Sequence, residues 1–174
     1  ADVFLHNMRP GVVESIGLSA PEALLLNPRL IYCGITGFGS KGPWRSWSGF
    51  DGLAQAVSSI MAGNGDPEGP PMLVSDAPVD KCTAMSAAIG ILAALFDRTN
   101  TGKGSVVETS LLETALWWRD NTLAEFAADG VLRPRHGNQS KQVAPYGSFT
   151  TADLQVFVAC TTDRLFEKFA KHVG

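Results

Sequence analysis

Apolar runs alternate along this chain with short polar turns, and the spacing of the apolar positions separates predicted strands from predicted helices. Three short apolar runs bounded by turn residues are predicted to be strands, at residues 3–5, 29–35 and 105–109. Segments in which apolar residues recur every three or four positions are predicted to be helices, at residues 20–26, 51–61, 77–96 and 110–128. Strands alternating with helices in this way indicate an α/β fold.

The segment at residues 77–96 is predicted to be the central helix. Its large apolar residues recur at helical spacing and are expected to form the buried face: Cys82, Met85, Ile89, Leu92 and Phe96. Alanine and glycine make most of the remaining positions small, so neighbouring elements can approach closely. Asp76 is predicted to cap the amino end of the helix, and Asp80 falls at the end of its first turn.

Asp80 and Asp51 both lie at predicted helix starts, where an acidic residue has two interpretations. The helix dipole stabilises a carboxylate in the first turn by roughly 0.3–1 kcal/mol, and capping explains most such residues. A carboxylate at the start of a mostly apolar helix can also serve as a reactive group. Position alone favours the structural interpretation for both residues.

The last third of the chain has a different pattern. Residues 132–142 are basic and contain glycine and proline, which predicts a solvated connecting segment. A hairpin is predicted to follow at residues 144–160, and a short amphipathic helix at residues 163–172. We therefore predict a first domain at residues 1–130, and a linker with the beginning of a second domain at residues 131–174.

Composition excludes several classes of protein. The chain has 174 residues, of which 45% are hydrophobic, and a net charge of −3, which gives no reason to expect nucleic-acid binding. Three cysteines lie far apart in apolar runs, so we expect reduced core residues of a cytoplasmic protein and no metal site: Cys33, Cys82 and Cys160. The longest apolar stretch looks too short and too rich in alanine to span a membrane, and no signal peptide is seen.

A glycine-rich loop follows the second predicted strand, with the sequence T-G-F-G-S-K-G-P at residues 36–43. Its glycine spacing differs from the dinucleotide-binding pattern G-x-G-x-x-G, and Pro43 stands where a helix should begin. We therefore reject a dinucleotide cofactor site at this loop.

Two long strings carry a resemblance to a known family. They are N-P-R-L-I-Y-C-G-I-T-G-F-G at residues 27–39, and the run from residue 79 to residue 95 followed by D-R-T-N-T-G-K-G-S-V-V-E-T-S-L-L-E. The chain resembles the family III CoA-transferases, a family that also contains α-methylacyl-CoA racemases. The resemblance implies an α/β fold, with part of a Rossmann-like large domain and the start of a smaller α+β domain. It implies coenzyme A and acyl-CoA as substrates with carboxylic acids, no metal, and an interlocked homodimer.

The resemblance also implies roles for particular residues. Asp80 matches the aspartate that serves as the nucleophile in the transferases, and Asp51 matches an acidic residue of the active site. Backbone N–H groups could receive the developing oxyanion, and the helix dipole should keep Asp80 ionised. Two loops match segments that contact coenzyme A, and their candidate residues are Asn7, Met8, Arg9, Ser48, Gly49 and Phe50.

Two alternatives stay open at this point. The racemases of the family carry a proton-transferring histidine at the position of Phe50, and a phenyl ring cannot move a proton, so racemisation is the weaker interpretation. The other alternative is a non-catalytic fragment, because family members carry further segments on both sides of this stretch. As a fragment, the chain is expected to expose an edge or face of the strand at residues 31–35 and to self-associate.

Overall fold

The computed structural model describes residues 1–174 and confirms the α/β class. Its strands and helices follow in the order β1 (Val3–His6), α1 (Val12–Ser15), α2 (Ala20–Leu26), β2 (Ile31–Thr36), α3 (Asp51–Val57), α4 (Ile60–Gly63), α5 (Pro78–Thr101), β3 (Ser105–Ser110), α6 (Leu111–Trp117), α7 (Asp120–Asp129), β4 (Tyr146–Thr150), β5 (Gln155–Ala159) and α8 (Asp163–Val173). Contacts group these elements into two units. The first unit consists of Ala1–Ile60 and Leu73–Val131, and the second of Met61–Met72 and Leu132–Gly174. The domain boundary predicted near residue 130 stays a prediction.

The first unit is built on a parallel sheet in the order β1-β2-β3. Ile31 and Cys33 of the central strand β2 are fully buried. The prediction that residues 31–35 expose an edge is wrong, because β1 pairs with one side of β2 and β3 with the other. Since all three strands run in the same direction, their carboxyl ends meet at one edge of the sheet, where open α/β sheets bind ligands.

Helix α5 packs on β2 and β3 through its small residues. A Cβ atom placed on Gly90 would come within 2.6 Å of Val107 in β3, so the helix and the strand are as close as glycine allows. The residues of α5 that are buried in the chain are Val79, Thr83 and Ala87. Close contact with the sheet is therefore made by the alanine-rich and glycine-rich side of the helix.

The predicted buried face of α5 is wrong. Cys82 is half-buried, and the four larger residues are between 64% and 73% exposed: Met85, Ile89, Leu92 and Phe96. The predicted helical period is correct, but the large side chains were wrongly expected to be buried. The sheet packs against the side of α5 that carries the smallest side chains. The helix also continues beyond the predicted end, to Gly102, whose positive φ of 70° and N–H bond to the Arg98 carbonyl terminate it.

By length and composition alone, the 24-residue helix α5 could cross a membrane. The sequence argument that excluded a span on length is therefore wrong. Helices in the cores of water-soluble proteins meet the same two criteria, so this finding by itself assigns no location.

Two predicted helices are divided in the structure. The segment at residues 51–61 breaks at Ser59, which has a positive φ of 65°, into α3 and α4. The segment at residues 110–128 breaks at Trp118 and Arg119 into α6 and α7. Trp117 and Trp118, beside this break, are both exposed.

The second unit contains the antiparallel hairpin of β4 and β5 and the helix α8. Residues 132–142, predicted to be a solvated connection, include one strongly bonded side chain. The guanidinium of Arg135 donates to the carbonyls of Asp66 (2.9 Å), Ala62 (3.3 Å) and Gly69. Arg135 therefore joins the two separate stretches of chain that make up this unit.

Candidate active site

A cavity of about 340 Å³ opens at the carboxyl ends of β1 and β2, beside the amino ends of α3 and α5. We call it the carboxylate cavity, and it is lined by Asn7, Met8, Arg9, Pro10, Ile35, Thr36, Gly37, Trp47, Ser48, Gly49, Phe50, Asp51, Asp80 and Leu111. All eight residues that the sequence singles out line this one cavity. Their placement together is a finding, and their roles in catalysis or binding stay predictions.

Asp51 is the first residue of α3, but its side chain caps a different helix, α5. Its Oδ2 atom accepts hydrogen bonds from the backbone N–H groups of Val79 (2.8 Å) and Asp80 (3.0 Å), in the first turn of α5. Pro78, the first residue of α5, has no N–H group to satisfy. The prediction that Asp76 caps this helix is wrong, because the N-cap position is Ala77 and the capping carboxylate comes from Asp51.

Gln55 is a site residue that the sequence analysis missed. It is fully buried, and its Nε2 donates to Oδ1 of Asp51 and to the Val74 carbonyl at 3.0 Å. Its Oε1 accepts from the Val74 N–H at 2.9 Å. The spacing of Asp51 and Gln55, four residues apart on one helix face, could have indicated this pair. Gln55 therefore positions the carboxylate that caps α5.

The backbone that leads into α5 is unusual. Asp76 and Ala77 both adopt positive φ values, of 67° and 49°, in a region that residues with a side chain rarely occupy. Each such residue costs of order 1–3 kcal/mol and persists where the surroundings enforce it. The two bonds from Asp51 to the first turn of α5 are such an enforcing contact. Together they set where Asp80 lies in the carboxylate cavity.

Two glycines bring the loops of the cavity into direct backbone contact. A Cβ atom added to Gly37 would lie 2.5 Å from the Cα of Gly49, and one added to Gly49 would lie 2.4 Å from the Cα of Gly37. Neither position can therefore accept a side chain without moving the other loop. The glycines suit close approach of two backbones, which explains their spacing better than a dinucleotide pattern does.

Asp80 differs from Asp51 in its surroundings. It is exposed to the cavity, and burial together with the neighbouring charge of Asp51 raises the pKa of its carboxyl group. The helix dipole alone would lower this pKa, so burial and the charge of Asp51 outweigh it; that Asp80 is ionised stays a prediction. The N–H groups of Val79 and Asp80 bind Asp51, so they are not available as donors to an oxyanion. Asp80 is thus a carboxylate aimed at open space and made more basic by its neighbours.

A second cavity, of about 570 Å³, adjoins the first. Met8, Arg9, Pro10 and Thr36 line both cavities. The lining of the second cavity also includes a partly buried histidine, His6, whose pKa is lowered by burial. Its charged groups are balanced, because three carboxylates face three cations: Glu14, Glu108 and Glu113, with Arg9, Lys41 and Arg45. His6 does not line the carboxylate cavity, where Phe50 is exposed at the position that carries a histidine in the racemases.

The chain belongs to CoA-transferase family III, which it matches over residues 1–174. It is 35% identical to an acetyl-CoA:oxalate CoA-transferase of Acetobacter aceti, over 100% of this chain and 45% of that protein. It is 36% identical to a succinyl-CoA–D-citramalate CoA-transferase of Chloroflexus aurantiacus, over 99% of this chain and 43% of that protein.

A solved structure agrees with this assignment. The crystal structure of a CaiB/BaiF family protein from Brucella suis superimposes with a TM-score of 0.87 at 33% identity. The match covers 100% of this chain and 46% of that one. The chain thus spans less than half the length of the proteins it resembles.

Proposed function

We propose that this protein moves coenzyme A between carboxylic acids, and that Asp80 is the nucleophile. The observation that carries the proposal is the position of Asp80, exposed in a cavity at the carboxyl edge of the sheet and fixed by the Asp51 cap. The family and the named activities of the relatives support coenzyme A as the group that is moved.

The exchange can proceed through four acyl transfers in which atoms and charges balance. An Asp80 oxygen attacks the donor thioester carbonyl, the C–S bond breaks, and a mixed anhydride and CoA thiolate form. The thiolate attacks the Asp80 carbonyl carbon, giving an aspartyl-CoA thioester and the donor acid. The acceptor carboxylate then attacks that thioester and releases the thiolate, which finally attacks the acceptor carbonyl and frees Asp80. One difficult exchange is thereby split into easier steps.

The remaining residues of the cavity have supporting roles in this proposal. Asp51 assists by holding the first turn of α5, so that Asp80 keeps its position while its carboxyl group is acylated. The loop residues Asn7, Met8, Arg9, Ser48, Gly49 and Phe50 would contact coenzyme A. We also propose a cytoplasmic homodimer, which light scattering and cell fractionation would test.

An isotope experiment tests the covalent route. The protein, at the full length its gene encodes, is mixed in excess with an acyl-CoA donor and an acceptor acid labelled with heavy oxygen in its carboxylate. Acetyl-CoA and succinyl-CoA with oxalate and citramalate are the first pairs to try, because the relatives' names contain them. After one turnover, the peptide that contains Asp80 should carry the label, and the released donor acid should not.

Two outcomes would contradict the proposal. Label in the donor acid after the first turnover, with none at Asp80, would mean direct attack of the acceptor on the donor thioester. Solvent deuterium at the α-carbon of a 2-methylacyl-CoA, incorporated as fast as CoA is transferred, would favour the isomerase alternative. We expect no such exchange, because no histidine lines the carboxylate cavity.

A further inference from the structure

We propose that two buried threonines, Thr83 on α5 and Thr114 on α6, form a hydroxyl pair that positions Asp80 by fixing the peptide unit before it. Neither threonine lines the carboxylate cavity, so both are positioning residues that act through the backbone of α5. The inference rests on the proposed function for the role of Asp80, and on the hydrogen bonds of α5 for the way in which Asp80 is held.

The peptide unit that joins Val79 to Asp80 is hydrogen-bonded at both ends. Its N–H group, which belongs to Asp80, donates to Oδ2 of Asp51 at 3.0 Å. Its carbonyl oxygen, which belongs to Val79, accepts from the hydroxyl of Thr83 at 2.7 Å. A hydrogen bond to the carbonyl polarises the peptide and strengthens the bond that its N–H group donates. The two bonds together therefore resist rotation of the peptide plane that precedes the Cα atom of Asp80.

Thr114 connects this peptide unit to a second helix. Its hydroxyl oxygen lies 2.9 Å from that of Thr83, and both side chains are buried. Each hydroxyl has one proton, so the proton that Thr83 donates to Val79 leaves Thr114 to donate across the pair. The carbonyl of Ser110, at 3.1 Å, is the more distant partner of Thr114. A continuous series of hydrogen bonds thus runs from α6 to the peptide unit before Asp80.

Helix α6 is itself attached to the wall of the carboxylate cavity. The N–H group of Leu112 donates to the carbonyl of Gly37 at 3.0 Å, and Leu111 lines the cavity. Gly37 is in close backbone contact with Gly49. The hydroxyl pair therefore links the position of Asp80 to the helix and the loop that form another part of the same wall.

The bond from Thr83 to Val79 differs from an ordinary bond of its type. Many helical serine and threonine hydroxyls bond to the carbonyl four residues earlier. Ser86 shows the ordinary case on the same helix, since it is exposed and donates to the Cys82 carbonyl at 3.0 Å. Thr83 is instead buried, contacts a hydroxyl of another helix, and bonds to the carbonyl just before Asp80. Ser86 is therefore the matched control for Thr83.

Amide hydrogen exchange tests the fixed peptide unit without relying on activity. Mass spectrometry would follow exchange in α5 peptides of the full-length protein. Thr83→Val keeps the shape of the side chain and removes its hydroxyl, so the first turn of α5 should exchange roughly three- to tenfold faster. Thr114→Val, which leaves α5 unaltered, should produce a smaller increase. Thr83→Ser and Ser86→Ala should both match the unaltered protein in this turn.

Kinetics test whether the fixed peptide unit serves the chemistry. In Thr83→Val, kcat for CoA transfer should fall about tenfold with KM for the acyl-CoA donor unchanged, because a displaced Asp80 reacts more slowly. Thr83→Ser should restore kcat. Thr114→Val should slow transfer by less, and should add nothing in a Thr83→Val background, because Thr114 acts through Thr83.

The results that would overturn this inference differ from those that would overturn the proposed function. Unchanged exchange in folded Thr83→Val, faster exchange with unchanged kcat, or additive effects of the two threonine substitutions would each overturn it, even if Asp80 is acylated. If Asp80→Asn transfers coenzyme A at the full rate, the proposed nucleophile is wrong. Faster exchange confined to the first turn of α5 in Thr83→Val would then still support the fixed peptide unit.

Discussion

The starts of α3 and α5 each carry an aspartate in the same cavity, and the two regions treat that carboxylate in opposite ways. Asp51 accepts hydrogen bonds from two backbone N–H groups and from Gln55, so its oxygens are occupied. Asp80 is exposed to the cavity, and its pKa is raised by burial and by the charge of Asp51. One carboxylate is fixed and the other is available. This difference supports our proposal that Asp51 has a structural role and Asp80 a reactive one, although both lie at the start of a helix.

The comparison is tested most strongly by removing the available carboxylate. Asp80→Asn keeps the shape of the side chain but removes the nucleophile, so CoA transfer should fall at least about a thousandfold, as for loss of other covalent nucleophiles. The melting temperature should not fall. An Asp80→Asn protein with full transfer activity would contradict the assignment.

Removing the fixed carboxylate should have a smaller effect on rate and a larger one on stability. Asp51→Ala leaves the N–H groups of Val79 and Asp80 without their acceptor, so we expect a loss of about 1–3 kcal/mol in unfolding free energy. Turnover should fall roughly ten- to a hundredfold, while Asp80 can still be acylated. Urea unfolding and a transfer assay would measure both.

Asp51→Asn is the matched control, since its amide oxygen can still accept these bonds. It should lose less stability than Asp51→Ala. Complete loss of Asp80 acylation in a folded Asp51→Ala protein would show that the two carboxylates are ranked wrongly.

Gln55 sharpens the comparison, because it acts on the site only through Asp51 and Val74. Gln55→Met keeps the volume but removes three hydrogen bonds, so stability should fall by about 1–3 kcal/mol. Transfer should slow by less than in Asp51→Ala, and the acid limb of the pH–rate profile should shift, since Asp51 is no longer held. Unchanged stability and an unchanged profile would mean that Gln55 does not position Asp51.

The smallest expected effect is a shift in the pH dependence of Asp80 acylation. Asp80 has a raised pKa, so its protonated, unreactive form persists to higher pH than for an ordinary aspartate. The acylation rate should therefore fall as pH drops through this raised pKa. Asp51→Asn removes the repulsive charge, so the acid limb should move to lower pH. Rapid-mixing measurements of Asp80 acylation as a function of pH would show this shift. An acid limb that stays in place or moves to higher pH would mean that the charge of Asp51 does not raise the pKa of Asp80.

Sequence alone predicted the α/β class, the helix α2 to the residue, and eight of the fourteen residues that line the carboxylate cavity. It failed where side-chain size and long-range contacts determine which residues are buried and how a helix is capped. Period-based reasoning placed large residues such as Met85 and Phe96 in the core, whereas the sheet approaches the small side of α5. The cap of α5 comes from Asp51, 27 residues before the helix begins, so no local pattern at residues 76–80 could reveal it.

The second cavity escaped prediction for a similar reason. Lys41 and Arg45 sit in an irregular loop, where neither helical nor strand periodicity indicates which way a side chain points. Their position beside Arg9 depends on the meeting of Gly37 and Gly49 and on the packing of Phe38. These contacts join residues that lie 6 to 12 positions apart in the chain.

The most direct measurement of the central claim is chemical trapping of the acylated aspartate. The full-length protein is incubated with an acyl-CoA donor, quenched with hydroxylamine, digested, and analysed by mass spectrometry of the peptides that contain Asp51 and Asp80. We predict a hydroxamate at Asp80, none at Asp51, and none in the Asp80→Asn protein. A hydroxamate at Asp51, or none at either residue in a protein that transfers coenzyme A, would contradict the account.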